Sequence, residues 1–566
     1  MNKMKIFLTI LLLLMVSNIG QAEEVFLPTI ESEAKFFLGY LSTLPLEEQQ
    51  DTIAFTTAFV PKSLQDSTVL SLSFVCHSLV GISDNDESAA GYYPIAMASY
   101  NNLIGPDIKP TVKLLSNVPG SKTLFYIRLS NFNWTRKSWE QIVNFDGYVK
   151  VPIISELSSG AMRLLSGSSL VRADWFIARS GRTVDQTDQN NKINPIYREL
   201  LYSKTKQPKT VDQFRRTWGM ESLERSRQLG AEVGVLTVGS SIVARHNRLL
   251  FGYKTLLGYY YASYDVKFET GKRDYVDTFY ELKAKPPQTV DGGELIASTA
   301  LGLQAYDIYD GKENLVDFAP SEVVRSTASP TGDVRVVVAN ECFFCHSKGL
   351  ISSLNTISDY LKNNGGAYYH SREDKLRTER AFLSDKFEDS IIENQKLFEK
   401  ALLKVNGLKP DDNLNAYLAV TTWYNQPLTL EQCAVEIGVL PEIIKEKAKI
   451  GLGVGNIPGR LALLLNNSKP IPRAVWESNE NGTFQQTAIL VNGLTKIITQ
   501  TDTTLEYDGV VLRGCKLFKS GTEVIKIVDA NDKIRRIGVV SGEYTDVIMS
   551  SGEKGWIQSI YIKKGK

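Results

Sequence analysis

The chain has 566 residues, 43% of them hydrophobic, with 64 lysines and arginines against 63 aspartates and glutamates. This composition provides enough apolar material for packed cores and excludes an intrinsically disordered chain. The balanced charge argues against a nucleic acid or an anionic membrane surface as partner. A chain of this length is expected to form about three or four domains.

The N-terminus has the pattern of a secretory signal peptide. Lys3 and Lys5 precede an apolar run over residues 6–16, and Gly20-Gln21-Ala22 supplies the small residues that a signal peptidase recognises. The apolar run is too short to span a bilayer, although an uncleaved anchor is the alternative. We therefore expect residues 1–22 to be removed, which leaves a periplasmic or secreted protein with no integral membrane segment.

Residues 23–190 combine helical and strand patterns in a mixed α/β region. Residues 38–50 and 137–145 are predicted to be helical. Apolar and polar residues alternate over residues 123–130, which predicts a half-buried strand. The overall fold class predicted for the chain is multidomain α+β.

Residues 191–338 form a β-rich central region that begins with short helical patterns. An aromatic run over residues 258–265 and an apolar run over residues 303–309 predict two strands, and Asp310-Gly311 after the second is a turn signal. The aromatic run fits the core of a sheet. A binding surface is the alternative interpretation.

The most informative motif is Cys342-Phe343-Phe344-Cys345-His346, which has the Cys-x-x-Cys-His pattern of c-type haem attachment. The thiols of Cys342 and Cys345 can add to the two haem vinyl groups. The His346 imidazole can then bind the iron as the proximal ligand. The sequence therefore predicts one covalently bound haem c.

Two other chemistries use a similar cysteine pair. A zinc site needs two further ligands at suitable spacing, and the sequence has no second Cys-x-x-Cys and no histidine pair. A thioredoxin-type dithiol normally follows a strand in a βαβ context. A strand-like run over residues 334–338 does precede the motif, but neither that fold nor a histidine at position 346 fits a dithiol well. Haem attachment therefore explains the motif better than a zinc site or a redox dithiol.

The second axial ligand of such a haem has more than one candidate in the sequence. No methionine lies between His346 and Met549, so the usual downstream methionine ligand is missing. His246 is the candidate distal ligand, and His370 is a second candidate. An iron with an open position is the remaining possibility, and it would permit ligand binding or peroxide chemistry.

The other cysteines are Cys76, Cys433 and Cys515, an odd number spread over three regions. Five cysteines are few for an exported protein and do not indicate a disulfide framework. At most one bridge could form among these three. We expect buried free thiols instead.

Residues 339–477 form a helical region around and after the haem motif. Residues 388–405 have apolar positions at helical spacing, and residues 429–449 begin with a Thr429…Gln432 capping box. Pro441 divides the second stretch into two helices. Residues 478–508 are rich in Thr, Gln, Gly and Asn and are predicted to be a linker, with a short hairpin as an option.

The last segment, residues 509–566, is predicted to be a small β-barrel. Alternation over residues 523–528, 535–540 and 545–549 predicts strands. The ending Gly552-Glu553-Lys554-Gly555-Trp556 resembles the C-terminus of the bacterial Src-homology-3-like domain. This resemblance implies contact with peptidoglycan through residues 509–566, because such domains commonly bind cell-wall peptides. The alternative is a barrel used only as a protein contact.

Several short motifs precede the haem motif along the chain. In order, they are Arg172-Ala173-Asp174-Trp175-Phe176, Arg245-His246, Gly258-Tyr259-Tyr260, Asp291-Gly292-Gly293-Glu294, Gly302-Leu303-Gln304-Ala305-Tyr306 and Pro320-Ser321-Glu322-Val323-Val324. Together they resemble a functionally uncharacterised family of exported bacterial monohaem c-type proteins. The resemblance covers roughly residues 36–477. It favours His246 as an iron ligand, because the Arg-His pair belongs to the pattern, and it indicates no catalytic residue.

Three functions follow from these observations. The first is electron transfer with an unknown redox partner, in which the protein is an electron carrier rather than a catalyst with its own substrate. The second is a haem enzyme or sensor with an open iron position, such as a peroxidase or a gas-binding protein. The third is a cell-wall-binding protein whose haem is structural.

Overall fold

A computed structural model describes most of the chain between residues 30 and 492 and the strands of the C-terminal segment. The described ranges are 30–82, 115–145, 170–180, 196–218, 232–236, 248–255, 257–265, 291–319, 324, 336–350, 373, 386–437, 439–453, 461, 464–465, 469–477, 483–492, 509–511, 515–520, 523–528, 533–539, 544–549, 554–558 and 562–564. The predicted signal peptide, His246 and His370 lie outside them. Within these ranges no helix combines the length and the apolar character needed to cross a membrane.

The N-terminal unit is a four-stranded mixed sheet covered by helices. Its strands are β1 (Thr52–Thr56), β2 (Ser116–Asn117), β3 (Leu124–Arg128) and β4 (Leu170–Arg172). Their order is β2-β3-β1-β4, and β1 pairs antiparallel with β3 and parallel with β4. All five residues of β1 are buried, as expected for a central strand with both faces covered.

The helices of this unit are α1 (Ile30–Ser42), α2 (Leu46–Asp51), α3 (Lys62–Ser78), α4 (Arg136–Phe145) and α5 (Ala173–Arg179). The predictions of a strand within residues 123–130 and of a helix over residues 137–145 are confirmed. The single helix predicted over residues 38–50 is instead two helices, because Pro45 stands at the N-cap position of α2 and lacks the N–H that a continuous helix requires.

The central unit is a six-stranded antiparallel sheet. Its strands are β5 (Glu232–Leu236), β6 (Arg248–Thr255), β7 (Gly258–Asp265), β8 (Gly292–Ser298), β9 (Gln304–Asp310) and β10 (Leu315–Val316), in the order β10-β9-β8-β7-β6-β5. Two short helices, α6 (Ile196–Leu201) and α7 (Val211–Thr217), precede it. The two strands predicted at residues 258–265 and 303–309 are confirmed as β7 and β9.

The aromatic run of β7 is the core of this sheet. Tyr260 belongs to the main hydrophobic cluster, whereas Tyr259 and Tyr261 pack with Phe387 and Ile391 of the helix α9 (Lys386–Val405). The side chains of Tyr259 and Tyr261 lie on the opposite face of the sheet from that of Tyr260, because side chains alternate between the two faces along a strand. The prediction of sheet core is therefore confirmed for these tyrosines.

The helical region surrounds the sequence motif at residues 342–346. Its helices are α8 (Asn340–His346), α9, α10 (Pro410–Tyr424), α11 (Leu430–Ile437), α12 (Pro441–Gly453), α13 (Arg473–Glu477) and α14 (Thr483–Asn492). The capping box is confirmed, since the Thr429 hydroxyl accepts from the Gln432 backbone N–H at 3.3 Å and the Gln432 side chain accepts from the Thr429 N–H at 2.8 Å. Pro441 begins α12, so the predicted division into two helices is also confirmed.

Helix α14 corrects the expectation of a linker or hairpin over residues 478–508. Residues 483–492 of that stretch are helical, and Phe484 and Val491 are buried in the main core. The Phe484 ring packs edge-on against Trp476, with ring centroids 5.6 Å apart. Burial of these apolar side chains outweighs the low helix propensity of the neighbouring Thr and Asn.

A network of buried ions joins the N-terminal unit to the helical region. Arg172 binds Asp174 through two nitrogens, at 3.1 and 2.6 Å, and reaches Glu436 of α11 at 2.8 Å. Glu436 also accepts from Arg473 and from the Trp476 indole, each at 2.6 Å. Asp174 also accepts from the Trp175 backbone N–H at 2.9 Å.

The C-terminal segment is a seven-stranded antiparallel sheet. Its strands are β11 (Gly509–Val511), β12 (Cys515–Ser520), β13 (Glu523–Val528), β14 (Lys533–Val539), β15 (Tyr544–Met549), β16 (Lys554–Gln558) and β17 (Ile562–Lys564), in the order β13-β12-β16-β15-β14-β11-β17. The three strands predicted here are confirmed. The strand pairs described leave β13 and β17 at opposite ends of the sheet, so they do not form the predicted barrel.

Candidate functional site

The motif residues lie on α8, a helix of seven residues that follows a tight turn. Ala339 precedes it with φ 69° and ψ −54°, a conformation that side-chain-bearing residues rarely adopt. The Ala339 carbonyl accepts from the Phe343 N–H at 2.7 Å and starts the helical hydrogen bonding. Cys342, Cys345 and His346 are spaced i, i+3 and i+4, so they share one face of α8.

Phe343 fixes the orientation of that face. Its side chain is fully buried beside that face, and its ring makes edge-on contacts with Phe74, Tyr197 and Tyr306 at centroid distances of 5.8, 6.0 and 5.7 Å. These rings come from α3, α6 and β9. Cys342, Cys345 and His346 are each half-buried.

Neither Cys342 nor Cys345 forms a disulfide. Burial raises the pKa of the Cys342 thiol well above its ordinary value, and the negative charge of Glu294 raises it further. Cys342 is therefore a neutral thiol near pH 7. Cys76 and Cys433 are buried and free, which confirms the expectation for these two residues. The Cys515 side chain lies outside the described part of the structure.

His346 is oriented by two contacts. Its Nδ1 lies 3.2 Å from the Gly349 carbonyl oxygen, and its ring stacks on Tyr306 with centroids 5.6 Å apart and planes 23° apart. A proton on Nδ1 donates to that carbonyl, which leaves the lone pair on Nε2. This is the tautomer in which histidine binds a metal through Nε2.

Two buried tyrosine hydroxyls lie near the thiols. Tyr306 donates to the Gln304 side-chain oxygen at 3.1 Å. The Tyr417 hydroxyl is buried and makes no hydrogen bond to any described atom. Burial raises the pKa of both tyrosines, and negative charge on Cys342 and Cys345 would raise it further. Tyr417 thus offers a neutral donor with no described partner beside the motif.

The local sequence gives no indication that Tyr306 and Tyr417 belong to this site. Tyr306 falls within one of the recurring motifs, but its contact with His346 depends on the pairing of β8 with β9 and on the position of α8. Tyr417 lies on α10, 71 residues after His346 in sequence. Only the tertiary structure brings these side chains together.

The other predicted ligands are not placed by the structure. His246, the candidate distal ligand, and His370 both lie outside the described residues. Among the residues described, no group of three or more His, Cys, Asp or Glu side chains is arranged to hold a metal ion. The zinc alternative therefore gains no further ligand from this part of the chain.

The comparisons with known proteins found no match: no family model, no curated protein and no solved structure is detectably similar to the chain.

Proposed function

We propose that the protein binds one haem c covalently through Cys342 and Cys345, with His346 as the proximal iron ligand, and that it transfers electrons. The observation that carries this proposal is the shared face of α8, where two thiols that form no disulfide and one imidazole lie together, with the buried Phe343 anchoring the helix beside them. The half-buried position suits a haem whose edge exchanges electrons with an external redox partner.

The residues present fit a haem in three further respects. Each thiol would add across one vinyl group, with sulfur and hydrogen going to the two vinyl carbons and no net oxidation. The Nδ1 contact of His346 with the Gly349 carbonyl leaves Nε2 for the iron. The buried Tyr417 hydroxyl, unpartnered among described atoms, can donate to a bound group. The haem would supply a one-electron couple.

His246 is proposed as the distal iron ligand. Two imidazoles on the iron would give a low-spin haem of lower potential than a histidine and methionine pair, as suits an electron carrier. An iron that instead keeps an open position would make the protein a haem enzyme or sensor.

We further propose that residues 509–566, whose described strands form one antiparallel sheet, contact peptidoglycan outside the cytoplasm. The succession of short antiparallel strands, with Gly555 and Trp556 inside β16, is consistent with the Src-homology-3-like pattern. Binding to purified peptidoglycan with and without residues 509–566 tests this proposal. Equal binding by both forms would contradict it.

Covalent haem attachment is tested by producing the protein together with a c-type haem maturation system and then denaturing it. We expect the haem to remain with the polypeptide in the wild type and in Cys433→Ser, which removes a buried cysteine elsewhere. Replacing Cys342 and Cys345 together by Ser should release it. Absence of covalent haem from the matured wild type would refute the proposal.

The role of the haem is tested by visible spectra of the oxidised and reduced protein. We expect a low-spin reduced spectrum in the wild type that becomes high-spin in His246→Ala. A high-spin wild type that responds to carbon monoxide or peroxide would favour the enzyme or sensor function instead.

A further inference from the structure

The turn that follows the motif, Ser347-Lys348-Gly349, presents three successive backbone carbonyls to three different side chains. The Gly349 carbonyl oxygen lies 3.2 Å from His346 Nδ1, and the Gly349 N–H donates to the His346 carbonyl at 2.9 Å. The imidazole and the turn therefore hold each other. The carbonyls of Ser347 and Lys348 bond instead to amide side chains from α10 and α9.

Asn413 of α10 holds the first of these carbonyls. Its side chain is fully buried, and its Nδ2 donates to the Ser347 carbonyl oxygen. Its Oδ1 accepts from Asn406 Nδ2 at 2.8 Å. An amide that accepts through oxygen and donates through nitrogen has one favoured orientation, so Asn406 keeps the Nδ2 group of Asn413 directed at the turn.

Gln395 of α9 holds the second carbonyl. Its Nε2 donates to the Lys348 carbonyl oxygen at 2.8 Å. The same amide packs closely on Gly349, since a Cβ added to that glycine would lie 2.1 Å from Gln395 Oε1. Two helices thus contribute one amide each to the three residues that follow His346. The ion pair of Lys348 with Asp411, at 3.4 Å, is exposed and adds little.

We propose that Asn413 and Gln395 are positioning residues for His346, because they fix the turn whose Gly349 carbonyl orients the imidazole. Without either amide, the turn gains freedom and the Gly349 carbonyl no longer stays in reach of Nδ1. The importance of this orientation for an iron rests on the proposed haem function. The orientation itself is a property of the polypeptide and can be measured without haem.

The first test uses the full chain without haem, labelled with ¹⁵N-histidine, whose four histidines give a simple spectrum. His346→Gln assigns the His346 signals, and a pH of about 8 keeps the imidazole neutral. We expect wild-type His346 to carry its proton on Nδ1. In Asn413→Ala and in Gln395→Met the preference for this tautomer should fall by up to about tenfold, the usual worth of one hydrogen bond.

Asn394→Ala is the matched control for Asn413→Ala. Asn394 is a buried asparagine of α9 whose Nδ2 donates to the Ser298 hydroxyl at 3.4 Å rather than to the turn. The control should also lose stability in urea, but it should keep the tautomer of the wild type. Gln395→Met changes a half-buried position and retains the length of the side chain, so it decides the question if Asn413→Ala does not fold.

The second test uses the protein matured with haem. Both variants should keep the covalent haem and show a smaller low-spin fraction than the wild type and Asn394→Ala. The proposal is overturned if both variants keep the wild-type tautomer preference, or if Asn394→Ala changes it equally. A changed tautomer with a wild-type haem spectrum would overturn the role at the iron. Absence of covalent haem from the wild type would refute the haem proposal instead, and the tautomer measurement would still decide the role of the two amides.

Discussion

Tyr306 and His346 lie in a near-parallel stack, although 40 residues separate them in sequence. The backbone of Tyr306 is held in place by α6, since its N–H donates to the Tyr197 hydroxyl at 2.6 Å. The stack and the Gly349 carbonyl together leave the imidazole of His346 little freedom to rotate. Tyr306 is therefore a positioning residue for the proposed proximal ligand.

Replacing Tyr306 by Leu is expected to loosen His346 without removing any thiol. The haem should still attach covalently, but the low-spin signals in the electron paramagnetic resonance spectrum should broaden because the imidazole adopts more than one orientation. Tyr306→Phe keeps the ring and loses only the hydrogen bond to Gln304, so its spectrum should match the wild type. Equal spectra for Leu and Phe variants would show that the stack does not orient the ligand.

Phe343 is expected to be the main anchor of α8. Phe343→Ala removes a fully buried ring and leaves a cavity among Phe74, Tyr197 and Tyr306, which should lower the free energy of unfolding by about 3–5 kcal/mol. Urea denaturation of the protein without haem measures this loss. Phe344→Ala, at the neighbouring half-buried position, is the control and should cost clearly less. Equal losses would mean that α8 is not fixed by Phe343.

Asp307, next to Tyr306 on β9, should make stability depend on pH. Burial raises its pKa from 3.8 to about 6, although the Arg198 guanidinium at 2.5 Å acts in the opposite direction. Between these values the folded carboxyl keeps a proton that the unfolded chain has lost. Its contribution to stability is therefore complete below about pH 4 and is lost as the pH rises through about 6.

A pKa shift of this size corresponds to about 3 kcal/mol in the free energy of unfolding. Urea denaturation from pH 4.5 to 7.5 should show the wild type losing free energy of unfolding relative to Asp307→Asn, which cannot ionise. The control is Asp317→Asn, which removes the more exposed carboxylate on the same arginine and should keep most of the pH dependence. Parallel pH profiles for wild type and Asp307→Asn would contradict the prediction.

Glu436 holds the helical region against the N-terminal unit. Arg172, Arg473 and Trp476 all donate to its buried carboxylate. Glu436→Ala would leave two buried guanidinium groups without this partner, so we expect a loss of about 3–5 kcal/mol in the free energy of unfolding. Glu431→Ala changes an exposed glutamate on the same helix and should change stability by less than about 0.5 kcal/mol. Similar losses for both variants would exclude a role for the network.

Local signals in the sequence predicted the elements that local interactions control. The capping box at Thr429, the break at Pro441 and the alternation in β7 all appear in the structure as predicted. The spacing of Cys342, Cys345 and His346 likewise determines their common face as soon as α8 is helical.

Features that depend on distant contacts were not predictable in the same way. Residues 478–508 are predicted to be a linker because they are rich in Thr, Gln, Gly and Asn, yet Phe484, Thr487 and Val491 of α14 form a buried stripe at helical spacing. Tyr306 and Tyr417 approach the thiols only through the packing of β9 and α10. Their roles follow from tertiary structure rather than from residue pattern.

Gly349 provides the last test, because it both accepts from His346 and adopts a backbone conformation with φ +95°. A side chain at this position is strained, and its Cβ would lie 2.1 Å from the Gln395 side-chain oxygen. Gly349→Ala should therefore lower the free energy of unfolding by about 1–2 kcal/mol and displace the carbonyl that orients His346. Urea denaturation and the visible spectrum of the matured protein measure the two effects.

Gly407→Ala is the control that separates the cost of backbone strain from an effect on the orientation of His346. Gly407 has a similar φ of +75°, but a Cβ there would meet no atom within 4 Å. We expect this variant to lose comparable backbone stability while its haem spectrum stays that of the wild type. Gly349→Ala should lose stability and also show a smaller low-spin fraction, because a displaced carbonyl no longer holds Nδ1. If both variants keep the wild-type spectrum, the Gly349 carbonyl does not orient His346.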